Sequence, residues 1–188
     1  MDAYDAIARR VSTRAFQPRA VPREVLVRVL DAAVRAPNHK LTEPWRFAVL
    51  TGASRDRYAE LRRVHRARRF PDPAAPEAAR AIEKTWREAA ETPAFIEVSC
   101  ATSDDPVRRE EDLAAAWMAV ENLLIAATAE GLGTYVRTGG ILSDPDLRAL
   151  VAVPDDARPI AVVSVGYPAT AEPPRRRTSA LEQTVWLD

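Results

Sequence analysis

Lysine is nearly absent from this chain. Only Lys40 and Lys84 occur among 188 residues, so arginine supplies almost all of the 27 basic side chains. Cysteine occurs once, at Cys100, and histidine twice, at His39 and His65. A lone cysteine excludes an internal disulfide framework and suits a reducing compartment. Two histidines and one cysteine cannot build a Cys/His zinc cage, and no metal site is expected. Glycine is scarce as well, with six residues, and none of them forms a phosphate-cradling loop of the Gly-x-x-x-x-Gly-Lys-Ser/Thr or strand-Gly-x-Gly-x-x-Gly kind. The stretch "GLGTYVRTGG" (131–140) follows a helical pattern, the reverse of the order in a dinucleotide-binding unit. A P-loop NTPase and a Rossmann dehydrogenase are disfavoured, and no nucleophile elbow marks a Ser/His/Asp hydrolase. Charge of one sign is missing too, since Lys+Arg and Asp+Glu are 27 each. A neutral balance gives no whole-molecule attraction to nucleic acid or an anionic membrane, so any anion site must be local. The start "MDAYDAIARR" lacks a signal-peptide core, and the most apolar stretch, 113–127, is interrupted by Glu121 and Asn122. The expectation is one cytoplasmic domain over residues 1–188, with no membrane and no nucleic-acid partner.

What is present reads as helices alternating with a few strands, an α+β class. Residues 2–11 form a short helix with Tyr4, Ile7, Ala8 and Val11 on one face, Asp residues in its first turn and arginines in its last. Pro22 opens a second helix to about residue 36, with Val25, Leu26, Val29, Leu30 and Ala33 as its buried stripe. "RFAVLT" (46–51) is a strand ended by Gly52. Residues 54–69 and 77–91 are helical, separated by the proline-rich "FPDPAAP", and 94–102 is a second strand with Cys100 in the core. The segment 108–130 is the longest helix, and its apolar residues spread around most of the circumference, so it should be buried on most sides. "TYVRT" is a short extended piece. Ser143 caps a helix in "SDPDLRALVAV", and "PIAVVSVGYP" (159–168) is the clearest strand, apolar enough to be covered on both faces. The tail "TSALEQTVWLD" carries Leu181, Val185, Trp186 and Leu187 with little local structure to bury them.

Chemistry concentrates first in "RRVSTRAF" (9–16), where three arginines, a serine and a threonine occupy eight positions between a helix and a turn. Planar, permanently charged guanidinium groups donate paired hydrogen bonds to phosphate, at roughly 1.5–3 kcal/mol per charge-assisted bond. Surface arginines are more often merely solvated, and the segment alone leaves both readings open. The second basic run, "RRVHRARRF" (62–70), reads mainly as a solvated face, with the entrance of a ligand site as the alternative.

Four stretches in order, "RRVSTRAF", "AVRAPNHKLTEPWRF", "ENLLIAATAEGLGTYVRTGG" and "PIAVVSVGYP" followed by "PRRR", resemble the FMN-dependent nitroreductase family in its small, compact bacterial form. The resemblance covers essentially the whole chain. It implies a mostly antiparallel central sheet flanked by helices, with a C-terminal arm reaching a partner subunit. It also implies a homodimer with FMN at the subunit interface, NADPH or NADH as electron donor, and a small-molecule acceptor such as a nitroaromatic or a quinone. A non-catalytic FMN-binding protein is the alternative.

By the same resemblance, Arg10, Ser12 and Arg14 bind the FMN phosphate, with Val11 between them and Arg175 and Arg177 completing the site from the other end of the chain. Arg35, Asn38 and His39 lie along the flavin. Leu41 and Glu43 stand where the family commonly has Asn and Gln. Val136, Arg137, Thr138 and Gly139 present main-chain N–H groups to the ring, where a fixed donor stabilises developing negative charge. No side chain is assigned as catalytic, because the cofactor carries the reaction and the protein orients it.

Overall fold

The structure, a computed structural model, describes residues 1–187. Helix α1 (Ala3–Arg9) is capped by Asp2, whose carboxylate accepts the Asp5 amide at 2.8 Å. Helix α2 (Arg23–Ala33) begins one residue after Pro22 and buries Val25, Leu26, Val29 and Ala33, as the stripe predicts. Strand β1 (Trp45–Leu50) leads into α3 (Gly52–Ala67). Gly52 does not end the strand by turning away. It is the first residue of the helix, behind a reciprocal cap between Thr51 and Ser54. After α4 (Pro76–Ala90) come β2 (Ala94–Ala101), α5 (Pro106–Ala129), β3 (Gly133–Arg137), α6 (Pro145–Leu150) and β4 (Ala157–Gly166). Ser143 does not cap α6. Asp144 does, accepting the Asp146 amide at 3.0 Å, because Ser143 is taken up in a 3₁₀ turn over Gly140–Ser143.

The four strands form one antiparallel sheet in the order β1-β2-β4-β3. The alternation of strand residues divides its two faces. Ile96, Val98, Cys100, Ala161, Val163 and Val165 pack with α2 and α5, while Phe95 and Val162 pack with Leu50, Tyr58, Leu61, Ala89 and Leu147 beneath α3, α4 and α6. Tyr58 meets Phe95 edge-on at 4.7 Å between ring centroids, a geometry worth about 0.5–1.5 kcal/mol beyond burial. With helices on both sides, β4 needs apolar residues on both faces, which explains its near-continuous run, interrupted only by the buried Ser164.

By length and composition, α5 would suffice to cross a membrane. Here it is a core helix, with Ala115, Ala116, Ala119, Val120, Leu123, Leu124 and Ala127 buried. Its Trp117 and Met118 remain partly exposed. The apolar stripe of α1 does not face the core either: only Ala6 is buried, while Tyr4 is 85% exposed and Ile7 is 54% exposed. Leu181, Val185, Trp186 and Leu187 are all exposed as well.

The chain after α1 crosses back over the sheet. Thr13 donates its amide to the Thr134 carbonyl at 2.8 Å, and Gln17 donates its amide to Tyr167 at 2.8 Å. Ala169 in turn donates to Ala15 at 3.0 Å. This segment passes so close to β3 that a Cβ on Gly133 would lie 2.7 Å from the Thr13 Cβ, so glycine is required there. The crossing fixes residues 10–14 beside the start of the C-terminal tail.

Candidate cofactor site

A cavity of about 630 Å³ opens where the two ends of the chain meet. Arg10, Val11, Ser12 and Arg14 line it from the N-terminal crossing, Tyr135 and Val136 from β3, and Arg175 and Arg177 from the tail. Seven of the residues expected at the cofactor therefore meet in one place. Two acids, Glu121 and Glu172, also line it, and Arg10 Nε lies 4.0 Å from Glu121 Oε1. Four arginines against two carboxylates leave a net positive recess, which suits a phosphate dianion. A larger cavity of about 940 Å³ lies between α2, β1 and α3 and contains none of the expected residues. Volume does not select the site; charge and convergence do.

Tyr135 escaped sequence reading. Its ring lies near two guanidinium groups, Arg137 at 4.7 Å and Arg14 at 5.5 Å, so it ties the arginine-lined cavity to the far end of β3. The available signal was the i, i+2 spacing of Tyr135 and Arg137, which puts both on one face of the strand. Arg137 also points its Nε toward Ser164 Oγ at 3.4 Å and its Nη2 toward Glu88 at 3.8 Å. Thr138 and Gly139 follow on an exposed turn, and Gly139 takes φ 112, a conformation open to glycine and strained for other residues.

Arg35, Asn38 and His39 do not reach this cavity within the single chain. His39 lines a separate recess of about 550 Å³ with Thr42, Glu111 and Asp112. Its Nδ1 sits 2.7 Å from Glu111 Oε2. Asn38 accepts the Glu43 amide at 3.0 Å, and Thr42 donates to the buried Asp112 carboxylate at 2.5 Å. The loop between them is wound tightly: Lys40, Leu41 and Glu43 all have positive φ, at 54, 53 and 44. Left-handed backbone at three side-chain-bearing residues costs about 1–2 kcal/mol each and persists only where surrounding contacts impose it. Leu41 is left 81% exposed at the tip.

The second basic run departs from the expected solvated face. Arg62 and Arg66 turn inward, and the Arg62 Nη1 and Arg66 Nε atoms are buried without a hydrogen-bond partner among the described residues. Beside them His65 and Arg68 hold the buried Asp144 carboxylate at 3.2 and 2.8 Å. Burial alone would raise that carboxyl, but the Asp146 amide, His65 and Arg68 together keep it below the usual range. Burial pushes the Cys100 thiol up to about 11, which makes it an inert core residue. Among the described residues there is no cluster of metal-ligating side chains.

An α+β domain with an antiparallel four-stranded sheet and an arginine-lined cavity between its ends matches a recognised fold. The chain belongs to the nitroreductase family, whose profile matches residues 7–167. Among its relatives, Bacillus subtilis (strain 168) YfhC, which carries the provisional name NAD(P)H nitroreductase, is 27% identical over 93% of this chain and 88% of its own length. A nitroreductase-like family protein from Bacillus cereus superposes with a TM-score of 0.83 at 26% identity, covering 100% of this chain and 97% of the other. The FMN and NADPH-dependent nitroreductase NfnB from Sphigopyxis sp. strain HMH shares the fold with a TM-score of 0.80, at 19% identity and full coverage of both chains.

Proposed function

We propose that this protein is an FMN-dependent NAD(P)H oxidoreductase of nitroreductase type, acting in the cytoplasm as a homodimer on nitroaromatic, quinone or similar acceptors. The observation that carries the proposal is the convergence of Arg10, Ser12, Arg14, Arg175 and Arg177 on one cavity in a protein of zero net charge. Those residues fit a phosphate monoester: four permanent cations and a hydroxyl donor face one recess. Bound FMN would supply the redox chemistry, accepting a hydride from the nicotinamide donor and delivering electrons to the acceptor. The chain's own tasks are to anchor the phosphate, to orient the ring with the backbone of 136–139, and to limit water around it. Glu111 is placed to fix the His39 ring orientation.

The dimer is supported by apolar surface without a local partner. Tyr4 and Ile7 on α1, Trp117 and Met118 on α5, and the tail residues Leu181, Val185, Trp186 and Leu187 are all exposed in the single chain. A second subunit laid on α5 would cover them and bring the His39 recess of one subunit toward the phosphate cavity of the other.

The test is an absorption spectrum of freshly purified protein, followed by anaerobic addition of NADPH and then NADH. Flavin bands that bleach support the reductase and name its donor. Bands that persist would leave a flavin-binding protein without turnover, and a protein that cannot be reconstituted with FMN would overturn the reading.

A further inference from the structure

The turn that follows β3 carries donors that the rest of the chain does not use. Among the described residues, no hydrogen bond engages the Thr138 or Gly139 amide, and both residues are exposed. They come directly after Tyr135, Val136 and Arg137, the first two of which wall the arginine-lined cavity. Free amides alone do not make a donor, because the successive glycines at 139 and 140 leave the backbone conformationally free. A donor stabilises developing charge only where its direction is fixed beforehand. Whatever fixes this turn matters as much as the amides themselves.

The near end of the turn is held through Arg137, by Ser164 Oγ at 3.4 Å and Glu88 at 3.8 Å. The far end is held through Asp144, whose side chain is 2% exposed. Its Oδ2 faces His65 Nδ1 at 3.2 Å and Arg68 Nη1 at 2.8 Å, both from α3, while its Oδ1 accepts the Asp146 amide at 3.0 Å. Between these ends Leu142 donates its amide to Gly139, and Asp144 donates to Ile141, each at 3.0 Å. The His65 ring also backs onto Gly140, with Nε2 3.5 Å from where a Cβ would sit there. Helix α3 therefore anchors the end of the turn and braces its middle. The Arg68 side chain remains 54% exposed, so its place is set by the carboxylate and not by apolar burial.

We propose that His65 and Arg68 are positioning residues for the flavin, acting through Asp144 to hold the 138–143 turn in the conformation that keeps its free amides available to the ring. The inference rests on the flavin reductase reading above and deepens it by giving the second basic run a task. Neither side chain lines the arginine-lined cavity. Loosening them should disturb the donor at the ring and leave the phosphate anchor alone.

The experiment compares the wild type with His65→Gln/Arg68→Gln, leaving Asp144 in place because it also caps α6. In flavin-free protein, hydrogen exchange at the Leu142 and Asp144 amides should quicken about tenfold in the double variant, as the turn opens more often. After FMN loading, its midpoint potential should become more negative, and reduction by NADPH or NADH should slow about tenfold. FMN affinity should stay within about twofold, because the phosphate contacts are untouched. Arg68→Lys keeps the charge and should recover most of the potential. Arg68→Gln alone should show the same direction if the double variant folds poorly. Arg63→Gln, which breaks an exposed pair with Glu60 on the same helix, should match the wild type in both readouts. Exchange as slow as in the wild type would overturn the anchoring. Faster exchange with an unchanged potential would overturn its service to the flavin. Failure of the flavin reading is separately visible, as wild-type protein that takes up no FMN, and it would remove this proposal too.

Discussion

Glu97 sits at the centre of β2, 2% exposed, on the sheet face that carries Tyr58 and Phe95. Burial raises its carboxyl from 4.5 to about 7, opposed by the Ser99 hydroxyl at 2.6 Å and by the charge of Arg148. In the unfolded chain the same group titrates near its ordinary value. Below that value the carboxyl is protonated in both states and contributes no pH dependence. Between about 4.5 and 7 the unfolded chain has released a proton that the folded protein still holds, so stability falls as pH rises. Above about 7 both forms are ionised and the loss is complete. At 1.36 kcal/mol per pH unit the loss approaches ~3 kcal/mol, a large part of the stability of a small domain. Glu97→Gln keeps the shape and a hydrogen-bonding group but removes the charge. Urea unfolding at pH 5 and pH 8 should show the variant gaining on the wild type at pH 8 by about 2–3 kcal/mol relative to pH 5. Parallel pH profiles for the two proteins would refute the argument, because Glu97 would then titrate alike in both states.

Other outcomes follow from the cofactor cavity and the exposed apolar surface. Arg10→Ala/Arg14→Ala removes two charge-assisted contacts of roughly 1.5–3 kcal/mol each, so FMN affinity should fall by ~10²–10⁴-fold and the protein should purify colourless; a fully yellow double variant would sink the phosphate assignment. Gly133→Ala forces the Thr13 crossing off the sheet, and thermal melting should report about 1–3 kcal/mol of lost stability together with reduced flavin content. Replacing Leu181, Trp186 and Leu187 with serine should shift a dimer toward the 20.8 kDa monomer in light scattering; an unchanged dimer would remove the tail from the interface. Glu111→Gln should leave the fold intact while slowing flavin reduction in stopped-flow measurements, because it releases the His39 ring from its carboxylate partner; an unchanged rate would remove the pair from the site.

Much of the fold was legible because its signals are local. The stripe of α2 and the apolar run of β4 were found to within a residue or two. α4, read at 77–91, is a regular helix shifted by a single position. The strand order β1-β2-β4-β3 was beyond periodicity, since it depends on pairings between segments far apart. Ser143 and Asp144 are both competent caps, and only the preceding 3₁₀ turn decides between them. The inward turn of Arg62 and Arg66 was hidden because hydropathy treats arginine as a surface residue wherever it occurs. α1 misled in the opposite sense, as its apolar stripe does not meet the core of its own chain. At the site, the Arg-x-Ser-x-Arg pattern and the tail arginines could be named in advance. Tyr135 was marked only by its i, i+2 spacing from Arg137, Glu121 and Glu172 lacked any pattern of their own, and the folded cavity brings all three into view.

The crossing that seats Gln17 against Pro168, 151 positions away, has a consequence for synthesis. Residues 10–14 leave the ribosome early, but the arginines that face them across the cavity are among the last of these residues to be made. A growing chain therefore carries half a clasp until the second half has been made. On the proposed phosphate assignment, cofactor loading waits for the tail, and chains that stall before Arg175 would stay empty of flavin.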